Sequence, residues 1–195
     1  MKGKEKNFVS AVVYVHNDEE KIGGFLEKLL RVLGSNFEHS EIICVNDCSQ
    51  DGSFEKIRKV SESALEVSVS VVHMSCYHGL EAAMNAGVDM AIGDFVFEFD
   101  RADFDFNDSV IMDVYRRSLE GFDIVSALPD QKERLSSRVF YFVFNRFAQL
   151  PCQMRTERFR ILSRRVINRI SSMNKTVPYR KEKSYGRLCS ADTML

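Results

Sequence analysis

The sequence predicts an α/β protein built on a doubly wound, mostly parallel sheet flanked by helices. Three observations carry that expectation. Strand-like and helix-like segments alternate as βαβαβαβ between residues 8 and 99. The first strand-like run is almost continuously apolar, as in strands buried on both faces. Polar clusters stand at the ends of the first, second and fourth strands, where sheets of this kind place their ligands.

Phe8 to Val15 is apolar and rich in β-branched residues, which gives a first strand. Ile22, Phe25, Leu26, Leu29, Leu30 and Leu33 then recur every three or four residues, the stripe of an amphipathic helix, with Gly34 as its stop. Ile42 to Val45 forms a second strand. Phe54, Ile57 and Val60 mark a second helix whose exposed amides Asp51 or Ser53 can cap. Val67 to Val72 is a third strand, and Leu80, Ala83, Met84, Gly87 and Ala91 define a third helix. Phe95 to Phe99 is a fourth strand running straight into Asp100. A helix from about Asp108 to Leu119, a short strand around Ile124 and a helix carrying Val139, Phe140, Val143, Phe144 and Phe147 follow. The last forty residues are less regular. No repeat, low-complexity tract or linker divides the 195 residues, so one domain is expected.

Composition narrows the class. Five scattered cysteines without a CxxC pair argue against both a disulfide framework and a zinc site, and they suit a reducing cytosol. The opening MKGKEKN lacks the apolar core of a signal peptide. The longest apolar run, Val139 to Phe144, falls far short of the roughly 20 residues that cross a bilayer. Net charge is −1, but Glu81 to Glu133 holds 13 acidic residues against 4 basic ones, whereas Arg155 to Arg187 holds 11 basic against 2 acidic. The middle can hold cations and the tail anions; two solvated faces of opposite sign explain the same counts.

The first strand tip reads Tyr14-Val15-His16-Asn17-Asp18-Glu19, side-chain acceptors able to hold a base or ribose, although Asn17 or Asp18 equally serves as a helix cap. The second reads Asn46-Asp47-Cys48-Ser49-Gln50-Asp51-Gly52, without the glycine spacing of a dinucleotide fingerprint or P-loop. A carboxylate there suits a nucleoside and repels a polyphosphate, which points to Asp47, while Asp51 caps or braces the turn. After the fourth strand, Asp100, Asp103, Asp105 and Asp108 fall within nine residues. Such crowding is costly unless solvated or neutralised, and hard Mg2+ or Mn2+ shared with a diphosphate is one solution. The plain alternative is a solvated acidic loop with Asp108 capping a helix.

These tips, in this order and spacing, resemble the family 2 glycosyltransferases of the GT-A fold, relatives of dolichyl-phosphate mannose synthase and of bacterial polyprenyl-phosphate glycosyltransferases. Tyr14 to Glu19 matches the family's Pro-x-Tyr-Asn-Glu-Glu tip. Val45 to Gly52 matches its Val-Asp-Asp-Gly-Ser-x-Asp-Gly turn, with Asn46 and Cys48 replacing an aspartate and a glycine. Gly79 to Gly87 matches its Gly-x-x-x-Ala-x-x-x-Gly helix start, and Gly93-Asp94-Phe95-Val96 its lead-in to the metal motif. Arg134 to Tyr141 and Phe159 to Arg165 are similar to the lipid-phosphate-sugar branch. The family's Asp-x-Asp is met only if Arg101 is an insertion, which gives Asp103 and Asp105. The acidic residue often found before Phe-Arg is displaced to Glu157.

The resemblance implies an inverting hexosyltransferase of bacterial cell-envelope polysaccharide synthesis. It would move a sugar from a UDP- or GDP-sugar to a lipid phosphate or glycan, with Asp100, Asp103 and Asp105 as catalytic and metal-binding residues for Mg2+ or Mn2+. Tyr14, Asn17, Glu19, Asp47 and Gly79 would bind the nucleotide, and Arg134 and Arg138 would contact phosphate. Residues 8–126 would be the nucleotide-sugar core and 127–195 the acceptor side with a basic tail, where the sequence is open to truncation. A cytoplasmic location is implied, with peripheral contact at the inner membrane face through the tail. No nucleic-acid partner is implied, and homo-oligomerisation stays open. The rival reading is a GT-A module that binds nucleotide without turnover. A nucleotidyltransferase is weaker still, for want of a Gly-rich basic loop after the first strand.

Overall fold

The computed structural model describes residues 3–103, 106–127, 159–172 and 191–194. Its elements are β1 (Val9–Val15), α1 (Glu19–Asn36), β2 (Ser40–Asn46), α2 (Ser53–Ser63), β3 (Ser68–His73), α3 (Leu80–Met90), β4 (Phe95–Phe99), α4 (Ser109–Leu119), β5 (Ile124–Ala127), β6 (Phe159–Ser163), α5 (Arg164–Ser172) and β7 (Ala191–Met194). One seven-stranded sheet has the order β3-β2-β1-β4-β6-β5-β7. Strands β3, β2, β1 and β4 are mutually parallel, and β6 runs antiparallel to both β4 and β5. The doubly wound, mostly parallel sheet predicted from the alternation is the one found.

Period-two alternation sends the two faces of each central strand into separate cores. Val9, Ala11, Val13 and Val15 join Phe97 and Phe99 against the apolar stripes of α1, α2 and α4. Val12, Ile43, Val45, Val96 and Leu162 face α3 and α5. Several boundaries differ from those the pattern predicts. Strand β1 begins one residue later than Phe8, β2 is longer at both ends, and β3 is shifted by one. Helix α1 runs through Gly34 to Asn36, and its chain turns instead at Phe37, whose extended backbone breaks the helix. Gly34 thus lies inside the helix, beside Glu66 and Val67, and does not end it.

Residues beyond 127 complete the sheet. Strand β6 inserts between β4 and β5, a placement the irregular tail did not reveal. It sets Arg160 opposite Glu98, and Arg160 donates from Nε to Glu98 Oε2 at 2.5 Å with both residues buried. The expected helix around Val139 to Phe147 and the charged residues Arg134 and Arg138 lie outside the described residues.

Candidate functional site

Parallel β1, β2 and β4 end side by side, with Val15 opposite Asn46 and Val13 opposite Phe99. The three polar tips read from the sequence therefore share one sheet edge. The first two are stitched together by hydrogen bonds. The Asn17 amide donates to Ser49 Oγ at 3.1 Å, and Gln50 N donates to Asn17 Oδ1 at 2.8 Å. Glu19 N donates to Asp51 Oδ2 at 3.0 Å, while Gly52 N donates back to Glu19 Oε2 at 2.9 Å. Asp18 holds the N-cap position of α1, but its carboxylate accepts from His16 N and makes no capping bond. Asp51 of the neighbouring tip supplies that cap instead, so the two loops hold each other's helix starts.

Asp51 also accepts from the amide and hydroxyl of Ser53. Partial burial alone would raise its carboxyl pKa; the bonds from Ser53 and from Glu19 N outweigh that and hold it below the ordinary value. Two residues at the tips, Asn17 at φ 54° and Cys48 at φ 56°, adopt the left-handed conformation. Asparagine tolerates it, whereas Cys48 stands where the family motif has the glycine that adopts it without strain.

Asp47 is fully buried. Its carboxylate accepts three bonds, from Tyr14 Oη at 3.0 Å, His78 N at 2.8 Å and Gly79 N at 2.8 Å. Those bonds pin the β3–α3 loop, whose Gly79 takes φ 81° at the N-cap of α3. Tyr14, Asn17, Glu19, Asp47 and Gly79 thus come together as the sequence suggests, and their polar atoms brace one another and the surrounding backbone. Burial and then the Asp47 carboxylate push the Tyr14 phenol well above its usual 10.0. A raised folded-state pKa stabilises fully below the unfolded value and is lost as pH rises through the folded one. Stability should therefore hold to about pH 10 and fall beyond it; Tyr115, raised mainly by burial, adds to the same limb. Denaturant midpoints from pH 8 to 11 check this, and Tyr14→Phe should flatten part of the fall.

The acidic segment after β4 is tied to α1. Asp103 pairs with Lys21 at 2.8 Å. Asp108 pairs with Lys28 at 3.0 Å and Arg31 at 3.1 Å. The Lys28 bond, with help from Arg31, keeps the Asp108 carboxyl below its ordinary range. Asp108 sits at the N-cap of α4 without a capping bond, because its side chain turns to α1. Asp100 follows Phe99 directly; Asp105 lies outside the described residues. Among the described residues no group of three or more His, Cys, Asp or Glu side chains is gathered to hold a metal. Asp100 and Asp103 nonetheless supply hard oxygen donors of the kind Mg2+ uses, one or two carboxylates completed by substrate phosphates.

His16 was read from the sequence only as part of the first strand tip, and Tyr77 escaped that reading. The His16 ring lies 4.7 Å from the Tyr77 ring, tilted by 52°. His16 Nδ1 stands 2.7 Å from the Asp47 carbonyl oxygen, to which it donates, and Nε2 then accepts from the Asn17 side chain at 3.2 Å. The adjacency of His16 to Asn17 was a signal; for Tyr77, in a loop of no recognised motif, there was none.

No described helix is long and apolar enough to cross a membrane. A family model for glycosyl transferase family 2 matches residues 10–171. The chain is 28% identical over 179 residues to an uncharacterised glycosyltransferase of Synechocystis sp., covering 89% of this chain and 55% of that protein. It is 31% identical over 135 residues to the undecaprenyl-phosphate 4-deoxy-4-formamido-L-arabinose transferase of Pseudomonas paraeruginosa, covering 68% and 38%. The chain thus spans about half the length, or less, of the curated relatives it matches. Among solved structures, a mannosyltransferase from Pyrobaculum calidifontis in complex with GDP-mannose and Mn2+ superposes with a TM-score of 0.73 at 17% identity, over 97% of this chain and 55% of that one. Glucosyl-3-phosphoglycerate synthase from Mycobacterium tuberculosis, in complex with Mn2+, UDP and phosphoglyceric acid, gives 0.72 at 14% identity, over 96% and 68%. These structures share the fold.

Proposed function

The chain belongs to glycosyl transferase family 2, and from that premise we propose that it is the donor-binding part of a hexosyltransferase. The enzyme would take a sugar from a UDP- or GDP-sugar and pass it, with inversion, to a lipid phosphate or glycan of the cell envelope. Its fold is of the GT-A type. The observation that carries the reading is the shared edge where the tips of β1, β2 and β4 meet, with a braced polar frame on one side and Asp100 and Asp103 on the other.

In this reading the nucleoside lies over the interlocked β1 and β2 tips. Tyr14, Asn17, Glu19, Asp47 and Gly79 fix the shape of that surface by holding its loops rigid. Asp100, Asp103 and Asp105 would hold Mg2+ or Mn2+. When bound, the ion neutralises the diphosphate and stabilises the charge it gains on leaving. Lys21 balances Asp103 in the ion's absence and is exposed enough to swing clear. A lipid-phosphate acceptor arrives already ionised, so the displaced acidic residue at Glu157 would not stop transfer. Arg134 and Arg138 would steady its phosphate, and the basic tail would rest against anionic headgroups at the inner membrane face.

Calorimetric titration of UDP and GDP with and without Mn2+ tests the assignment. Loss of outer-shell partners already costs about 10- to 100-fold in metal affinity, so Asp103→Ala should remove at least about tenfold of the Mn2+-dependent gain. Nucleotide binding that ignores Mn2+ would instead favour the non-catalytic module. A donor-hydrolysis screen across nucleotide sugars then identifies the sugar.

A further inference from the structure

We propose that Tyr77 is the stacking platform for the nucleobase, so that the base is held chiefly by ring contact and not by a carboxylate; this rests on the nucleotide-sugar reading above. Tyr77 is 62% exposed and is the one large exposed aromatic side chain among the described residues. It is not a loose side chain. Its ring is backed by His16, whose imidazole is itself fixed by the Asp47 carbonyl and the Asn17 side chain. Its backbone is held one residue on, where His78 N and Gly79 N donate to buried Asp47. The result is a largely exposed ring held in place by His16 and by a pinned loop. Preorganisation of this kind lowers the entropy lost on binding.

The state of Asp47 supports the same conclusion from the other side. A carboxylate has room for about four hydrogen bonds. Three are taken by the protein and the group is fully buried, which leaves little of it for a base edge. With that acceptor occupied, what the described strand edge offers a planar heterocycle is an aromatic face. Every base has a π-face, so stacking predicts tolerance between uracil and guanine, with binding set by ring area more than by edge pattern.

The test uses the full chain, Mn2+, and three probes: UDP, GDP and base-free pyrophosphate. Removal of a stacking ring costs about 1–3 kcal/mol per base, so Tyr77→Ala should weaken UDP and GDP by about 5- to 150-fold and leave pyrophosphate unchanged. Tyr77→Phe should keep the affinity. Because the chain has no tryptophan, tyrosine emission is unmasked, and nucleotide-induced quenching should shrink in Tyr77→Phe although binding persists. Equal weakening of all three probes would mark a structural role and overturn the proposal. So would unchanged UDP and GDP binding in Tyr77→Ala. If the wild-type chain binds pyrophosphate but neither nucleotide, the nucleotide-sugar reading itself fails.

Discussion

Replacing Arg160 by methionine should cost about 3–5 kcal/mol, the usual loss when one partner of a buried ion pair is removed. Glu98 is fully buried and Arg160 only 3% exposed, so the pair lies out of reach of solvent. The loss would be a large share of the 5–15 kcal/mol that a domain typically has in hand. The pair also joins the antiparallel β6 to β4 two residues before Asp100, so the damage falls on the strand that delivers the acidic segment. A purely steric account predicts that Glu98→Leu/Arg160→Met does worse than either single change. The electrostatic account predicts the reverse, because well-packed apolar replacements of buried ion pairs are often neutral or stabilising. Urea midpoints of the two singles and the double form the cycle that decides, provided the denaturant slope is unchanged.

That pair also marks where the sequence was legible and where it was not. The alternation from β1 to β4 could be read because each strand is a nearly unbroken apolar run and each helix has one stripe. Strand β6 went unread because Arg160 interrupts Phe159-Arg160-Ile161-Leu162, and a buried arginine makes sense only once Glu98 stands opposite. The end of α1 was misplaced because Gly34, read as its stop, lies inside the helix. At the candidate site the strand tips were legible by position, since a parallel sheet brings its carboxyl ends to one edge. Their roles were not. Nothing in the tip sequences says that Asp51 caps the helix of the other tip, or that the Asp47 carboxylate spends three bonds on Tyr14 and the β3–α3 loop. Those are long-range pairings, set by which tips the sheet makes neighbours.

Gly87→Ala should be destabilising, although alanine is the better helix former by about 1 kcal/mol. A Cβ at this position of α3 would stand 2.4 Å from Val12 Cγ1 and 2.6 Å from Val45 Cγ2. Neither valine can turn away, because each is fully buried and a β-branched side chain is stiff about χ1. The helix must then lift off β1 and β2. Overpacking of this kind costs about 1–3 kcal/mol, which exceeds the propensity gain through most of that range. The lift has a second consequence, because Gly79, the N-cap of α3, has its amide bound to Asp47. Moving the helix strains that bond and shifts the loop that carries Tyr77, so nucleotide affinity should fall together with stability. Gly24→Ala is the internal control. It sits on an exposed turn of α1 with nothing within 4 Å of the added Cβ, and should stabilise by about 0.4–1 kcal/mol without touching nucleotide binding. Trimming one of the two obstacles with Val45→Ala in the Gly87→Ala background should recover part of the affinity while the stability stays low, since losing the buried valine methyls is itself costly. If Gly87→Ala proves as stable as the wild type, the close seating of α3 on β1 and β2 is not what holds the Asp47–Gly79 contact in place.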